Sequence, residues 1–432
     1  MKITMNRAEL LSAAQKAAAI ASEDAPLEPL KGVLLEADAA AGTLTLTATN
    51  IETSLEQKLV CTVGEDDALV MNAKLLAGML GLMSGETAQL LRRPGTRVLT
   101  LRSGETIYSW SIGERGEFPK IELPFPEYGA PAKVPPSFRG ERKGKGTEQG
   151  TPEGCPLRSG LCPDVVKLSG IPSMARQTMF ATSEDKDKPL MRCVNLMFTR
   201  EGLKGVGYNG RCLVAAKGDD KSAGNISLLL PANSLEKLAG LCSDADEFNV
   251  GVAGKFLVFQ RPGLTFGAML MEGDYMDTDR LMNNIRNQFT LLTDVAELRR
   301  TLKTVAAVDP KGRVKLAFDG GRITFSCKGE LGEACQELET APLTGTPQGG
   351  YWYLISDLMA CLRSLSGTAT LGIAQAGMLD LSTEGAYYMQ TAMREPVAAP
   401  VVVQKAPKAE PKKAEKKAKP SKAKAKTAKK AA

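Results

Sequence analysis

Three similar stretches constrain what this chain can fold into more than any other feature: LVMNAKLLAGMLGL from Leu69, LLPANSLEKLAGL from Leu229 and YLISDLMACLRSL from Tyr353. Each is a helix opening. Near-repetition at this spacing points to a chain assembled from repeated units. A different helix-like segment precedes each one: RAELLSAAQKAAAIAS from Arg7, IPSMARQTMFATS from Ile171 and DVAELRRTLKTVAAV from Asp294. In the third, Val295, Leu298, Leu302 and Val305 form one apolar stripe at helical spacing, with Arg299, Arg300 and Lys303 off it.

Between the two helices of each unit lies alternating, strand-like sequence: VLLEADAAAGTLTLTATN, VNLMFTREGLKGVGYNG and VKLAFDGGRITFSCKG. Turn residues separate the paired runs, which is the hairpin pattern. A further hairpin closes each unit, ending in TIYSWSI, LTFGAML and YYMQTAM. The unit is helix, strands, helix, strands, three times over. Units two and three are offset by about 123 residues and units one and two by about 160. The excess fits residues 130–164, which are rich in Pro, Gly and charge and lack periodicity, so they read as an inserted linker. The expected organisation is a first unit over 1–129, the insert at 130–164, a second unit over 165–285, a third over 286–397 and a basic tail from 398 to 432. The fold class is α+β, each unit covering an antiparallel sheet with two helices.

Composition narrows the chemistry. The chain holds no histidine, which removes the commonest general base and any Cys/His zinc site, and no phosphate-loop, nucleophile-elbow or dinucleotide-binding motif occurs. The expectation is a protein that is not an enzyme and needs no cofactor or metal. Nine cysteines, spread from Cys61 to Cys361, suit reduced thiols in a cytoplasmic protein better than a disulfide framework. No apolar run approaches the length of a membrane span, and the first residues do not read as a secretory signal, so no membrane association is expected.

Charge is unevenly placed. From Lys405 to the end there are twelve lysines against Glu410 and Glu415, while the whole chain carries +6, so the remaining body is mildly acidic. The tail lacks large apolar residues and is expected to be disordered, serving either as a solubilising appendage or as a nucleic-acid tether.

The order of elements, the phrases PLKGVLLEA and TLTLTATNIETSL in the first unit, GYNGRCLV in the second and the closing YMQTAMR together resemble the bacterial DNA polymerase III beta subunit, the DNA sliding clamp, from Met1 to about Pro396. That resemblance implies three clamp units per chain and a homodimer closed head to tail into a ring around double-stranded DNA, with helices lining the hole. It also implies a processivity role in DNA replication, in a nucleoid-associated protein of the cytoplasm. A sliding ring needs diffuse positive charge and no base readout, so DNA contact is sequence-independent. The helices offer Lys16, Lys74, Arg176, Lys237, Arg299, Arg300, Lys303 and Arg363. Any one of them alone is an ordinary solvated helix face; their recurrence on the same two helices of each unit favours a DNA-facing role.

The resemblance further implies a hydrophobic cleft between units two and three that takes peptides from the replicative DNA polymerase, the clamp loader and other proteins with a clamp-binding motif. Matching phrases place there Met191, Tyr208, Gly210, Arg211, Leu213, Pro231, Leu235, Met389, Thr391, Met393 and Arg394. Several are equally compatible with plain core packing. Where the family has His then Arg after the glycine, this chain has Arg211 then Cys212, and the family's Met-Pro-Met-Arg ending reads Thr391-Ala392-Met393-Arg394, so partner preference does not carry over. At the dimer interface, Tyr108 and Trp110 would meet Val305 and Ala306, with sheet pairing through residues 335–339. An alternative function is a nucleoid-associated DNA-binding protein acting through its basic tail alone.

Overall fold

The computed structural model describes residues 1–22, 27–123, 166–218, 226–330 and 332–395. The expected insert at 130–164 and tail at 398–432 lie outside the described residues. Met1–Arg394 form one compact unit.

Seven helices stand among the described residues: α1 (Arg7–Ile20), α2 (Ala73–Leu82), α3 (Ile171–Thr178), α4 (Ala232–Leu241), α5 (Thr278–Asn283), α6 (Val295–Val305) and α7 (Ile355–Ser364). Six of them pair, α1 with α2, α3 with α4 and α6 with α7. Their starts follow from capping chemistry. Asn6 accepts from the Ala8 and Glu9 amides and Asp294 from those of Ala296 and Glu297, which satisfies donors that the first helical turn leaves without partners. The apolar stripe of α6 is buried as its spacing predicts: Val295, Leu298, Leu302 and Val305 all face the core.

The strands form four antiparallel sheets. A nine-stranded sheet runs from Gly113–Glu114 to Val166–Leu168 and is joined across its middle by Thr53–Val60 pairing with Leu264–Met269. A second nine-stranded sheet runs from Ile226–Pro231 to Ala341–Thr344, joined in the same way by Cys212–Gly218 pairing with Ala386–Gln390. The other two are smaller. A five-stranded sheet ends on Thr106–Ser111 and a four-stranded sheet on Gly332–Glu339. These two edge strands have no ladder partner among the described residues.

Each strand at the second join divides its side chains between two faces, as the two-residue period requires. Cys212, Val214 and Tyr388 face the helix side and join the core beneath α6 and α7. Leu213, Ala215 and Met389 face the opposite, outer side and form a separate small cluster. On the helix side α3 lies so close that a side chain on Gly207 would meet the Thr178 carbonyl oxygen, which explains the glycine.

Candidate nucleic-acid face and peptide cleft

The outer cluster is built on the pair Leu213 and Met389, directly opposite each other in the ladder that joins the two halves of the sheet. Around it pack Tyr208, Met197, Met378 and Tyr387, together with Tyr275, Leu281, Met282 and Ile285 from the segment that crosses the sheet between Met269 and Asn287. The last four were not singled out from the sequence. Their signal is the apolar spacing at 281, 282 and 285, in a stretch that reads as a boundary between units.

The Asp279–Lys204 ion pair ties segment to sheet, Gly273 passes against Leu190 of the turn Pro189–Arg192, and within the segment Asp277 caps α5 by accepting from the Arg280 amide. The floor, Leu213 and Met389, is consequently buried, while Tyr208, Met378 and Tyr387 remain half-buried at the rim. Burial pushes the Tyr208 and Tyr387 phenols up from their ordinary range, so both stay neutral donors.

Arg211 is fixed between the two halves. The turn before it needs a left-handed residue, supplied by Gly210 at φ 90°, and Asn209 accepts from the Arg211 and Cys212 amides at 3.0 and 2.9 Å. Its guanidinium Nε donates to Asp357 Oδ2 at 2.7 Å, near the start of α7, and its carbonyl accepts from the Thr391 amide at 3.0 Å. Below it, burial raises the Cys212 thiol to about 12, so that thiol is an inert part of the core. The chain then runs to Met393, whose amide donates to the Trp352 carbonyl at 2.7 Å, and to exposed Arg394, whose carbonyl accepts from Arg313.

Three of the residues placed in the cleft from the sequence stand apart from the outer cluster. Leu235 lies on α4, on the helix side of the sheet, in the core shared with α1 and α2; a helix residue cannot reach the outer face through the sheet. Pro231 sits opposite Cys193, three strands from Leu213, roughly 14 Å away at sheet spacing. Met191, half-buried, belongs to the turn Pro189–Arg192 beside that same edge.

Next to Met389 on the outer face stands Asp380, paired with it in register and 6% exposed. Asn287 hydrogen-bonds this carboxyl, yet its Oδ1 has no partner. Burial raises its affinity for a proton.

The predicted DNA-facing cations all lie on the six paired helices, in differing states. Lys16 is half-buried in a groove of about 470 Å³ beside Arg261, and burial first, then the Arg261 charge, lowers its pKa. Lys237 is likewise half-buried and lowered by burial. Arg176 donates to Asp244 at 2.8 Å and Arg300 to Glu297 at 2.6 Å. Lys74 is exposed but not without a partner. Arg299, Lys303 and Arg363 are exposed with no ion pair among the described residues.

At the free edges, Tyr108 and Trp110 are half-buried on the core side of Thr106–Ser111, and Trp110 Nε1 is buried with no acceptor. Val305 and Ala306 are buried in their own core at the end of α6. They occupy the packed side of that helix, so the surface they leave for a second chain is small.

Antiparallel sheets backed on one side by paired helices, with the joins made by strand pairing, define the DNA sliding-clamp fold. The solved structures agree. The chain overlays a putative DNA polymerase III beta subunit from Eubacterium rectale with a TM-score of 0.77 at 13% identity, covering 91% of this chain and 100% of that one. It overlays the sliding clamp of Bacillus subtilis with a TM-score of 0.76 at 14% identity, covering 92% and 100%. At the sequence level, residues 1–122 match the model of the DNA polymerase III beta subunit N-terminal domain. The beta sliding clamp of Streptococcus pneumoniae serotype 4 is 25% identical over 212 residues, 47% of this chain and 56% of that protein, and that of Lactococcus lactis subsp. lactis is 25% identical over 181 residues, 40% and 48%. The chain spans about half the length of the curated relatives it matches. The resemblance to the bacterial DNA polymerase III beta subunit therefore holds in both sequence and fold.

The buried Asp380 has a pH signature. Its folded pKa lies above the ordinary Asp value of about 3.9, so the fold disfavours its ionised form and stability falls as pH rises from that value through the folded one. Asp380→Asn is expected to raise the melting temperature at pH 7, with the gain vanishing below about pH 4. An equal gain at both pH values would contradict the assignment.

Proposed function

We propose that the chain is three clamp units, residues 1–129, 165–285 and 286–397, and that two chains close head to tail into a ring that encircles duplex DNA and tethers a DNA polymerase and other DNA-processing proteins. The single observation that carries this reading is the strand count. Each nine-stranded sheet consists of five strands from one unit and four from its neighbour. The five- and four-stranded sheets are the two halves of a third, and their free edges are the strands that the repeat would pair.

The helices support the same closure. α1 touches α4 and α3 touches α7, so the first helix of a unit meets the second helix of the next. By that rule α6 meets α2 of a second copy. Leu82, at the end of α2, is 78% exposed, whereas Leu241, at the same place in α4, is 3% exposed. An exposed leucine where its counterpart is buried marks a missing neighbour.

The repeat also gives the register. Ala48 pairs with Leu55 and Leu55 with Phe266; Gly207 pairs with Val214 and Val214 with Tyr388. The matching step in the four-stranded sheet is Cys327 to Ala334, and Tyr108 stands two residues past its turn-closing pair, as Phe266 does. Ala334 then faces Tyr108 across the seam and Cys335 faces Ile107, both of the latter exposed on the outer side.

For the tether, the outer cluster offers an apolar ledge of Tyr208, Leu213 and Met389. Tyr275, Leu281, Met282 and Ile285 line it as well, and Gly210, Arg211, Thr391, Met393 and Arg394 run along its border. Flexible methionines suit several peptide partners. The family's non-catalytic role fits the absence of histidine, and the basic tail adds sequence-independent affinity for DNA.

The protein is expected to be a dimer of about 92 kDa, twice the 46.0 kDa chain. Opposed residues on antiparallel strands stand about 5 Å apart at Cβ, close enough for a disulfide. Oxidised Ile107→Cys should thus cross-link through Cys335 into a closed dimer on a non-reducing gel. A monomer by light scattering at micromolar concentration, or no cross-link, would overturn the ring.

For the ledge, Tyr208→Ala should weaken a peptide copied from the host's replicative polymerase at least tenfold, about 1.4 kcal/mol, with the dimer mass unchanged. Unaltered affinity would place the tether elsewhere.

A further inference from the structure

The eight cations on the inner helices are not equivalent, and the difference is one of availability rather than number. On α3, Arg176 is held by Asp244 and also donates to Ser173. Breaking that exposed pair costs little, but the Asp244 carboxylate stays beside it and repels an approaching phosphate. On α4, Lys237 is half-buried and its neighbour Glu236 is exposed, so this helix presents no net charge. On α1, Lys16 sits in the groove beside Arg261, which is itself paired with Asp246. The exposed side of α2 carries Leu75, Gly78 and Leu82 besides Lys74.

The two helices of the third unit differ from all of these. On α6, Arg299 and Lys303 are exposed without an ion pair among the described residues; the one acid within the helix, Glu297, is taken by Arg300, and Asp294 is engaged as its N-cap. On α7, Arg363 is exposed in the last turn, and the helix's only acid, Asp357, is buried and held by Arg211 at the far end. α6 and α7 pack on each other, and all three cations stand on the exposed sides of that helix pair. Removing the acids from that surface leaves its positive potential uncancelled.

We infer that the duplex is gripped mainly by α6 and α7 of the third unit, through Arg299, Lys303 and Arg363, and not evenly around the ring. This rests on the encirclement reading above and narrows it. In a two-chain ring the same surface occurs twice, related by the two-fold axis. The duplex phosphates meet two opposed basic surfaces, separated by arcs of helix that contribute little. Each phosphate contact made by a cation releases condensed counterions, so affinity for DNA falls with salt with a log-log slope of about 0.9 per contact.

The test compares two full-length variants, Arg299→Gln/Lys303→Gln/Arg363→Gln and Lys16→Gln/Lys74→Gln/Lys237→Gln, for binding to a short linear duplex across a salt series. The basic tail is present in both and drops out of the comparison. The first variant is expected to have a slope shallower by about 3 or more, for six cations lost per dimer, and the second a change of about 1 or less. Equal changes would overturn the inference in favour of an even distribution, and an unchanged slope in the first variant would overturn it in favour of the tail alone. Light scattering on the same samples separates this from the ring itself. If the unaltered protein is a monomer, the encirclement reading fails; if all three are dimers and the slopes do not differ, the inference alone fails.

Discussion

Antiparallel pairing between strands from different parts of the chain is the interaction on which everything else here depends. Thr53–Val60 finds Leu264–Met269 some two hundred residues later, and Cys212–Gly218 finds Ala386–Gln390 after a similar interval. These two ladders turn separate sheets into continuous ones. They also bring the paired helices into line on one side and leave the other side free. Both proposed sites follow from that division. The cations on α6 and α7 belong to the helix side, while Leu213 and Met389, paired in the second ladder, turn their side chains to the outer side as the buried floor of its apolar cluster. A single strand join thus fixes a basic face and an apolar ledge back to back.

The same interaction sets the chain's liability. An unpaired edge strand templates association with another chain. Thr106–Ser111 and Gly332–Glu339 are such edges, with Ile107 and Cys335 exposed on one side and Trp110 half-buried on the other without an acceptor for its indole. The proposed closure with a second copy would remove both edges at once and cover Leu82, which would account for the otherwise costly exposure of these residues.

The sequence exposed the local elements because they are written in local chemistry. The α6 stripe, the Asn6 and Asp294 caps and the alternating hairpins each depend on residues within a few positions of one another. The resemblance supplied the longer-range plan. What it could not supply was the side of the sheet on which a residue falls. Leu235 and Leu213 are both apolar residues in matching phrases, yet one strand period and one helix turn send them to opposite faces. Tyr275, Leu281 and Met282 lie at the end of the second unit, past its closing hairpin, where no repeat marks them. The ion pairs that silence Arg176 and Arg300 join residues whose partners the charge pattern does not specify. Val305 and Ala306 lie at the end of α6 on its packed side, which a matching phrase does not specify.

The central claim is that Thr106–Ser111 of one chain completes its ladder with Gly332–Glu339 of another. Amide hydrogen exchange along these two strands, followed by mass spectrometry over a dilution series, tests it most directly. At micromolar concentration the account predicts protection comparable to that of Thr53–Val60 and Cys212–Gly218, lost from the two edge strands together as the protein is diluted and the dimer dissociates. Fast exchange from both edges at every concentration, with the internal joins protected throughout, would contradict it.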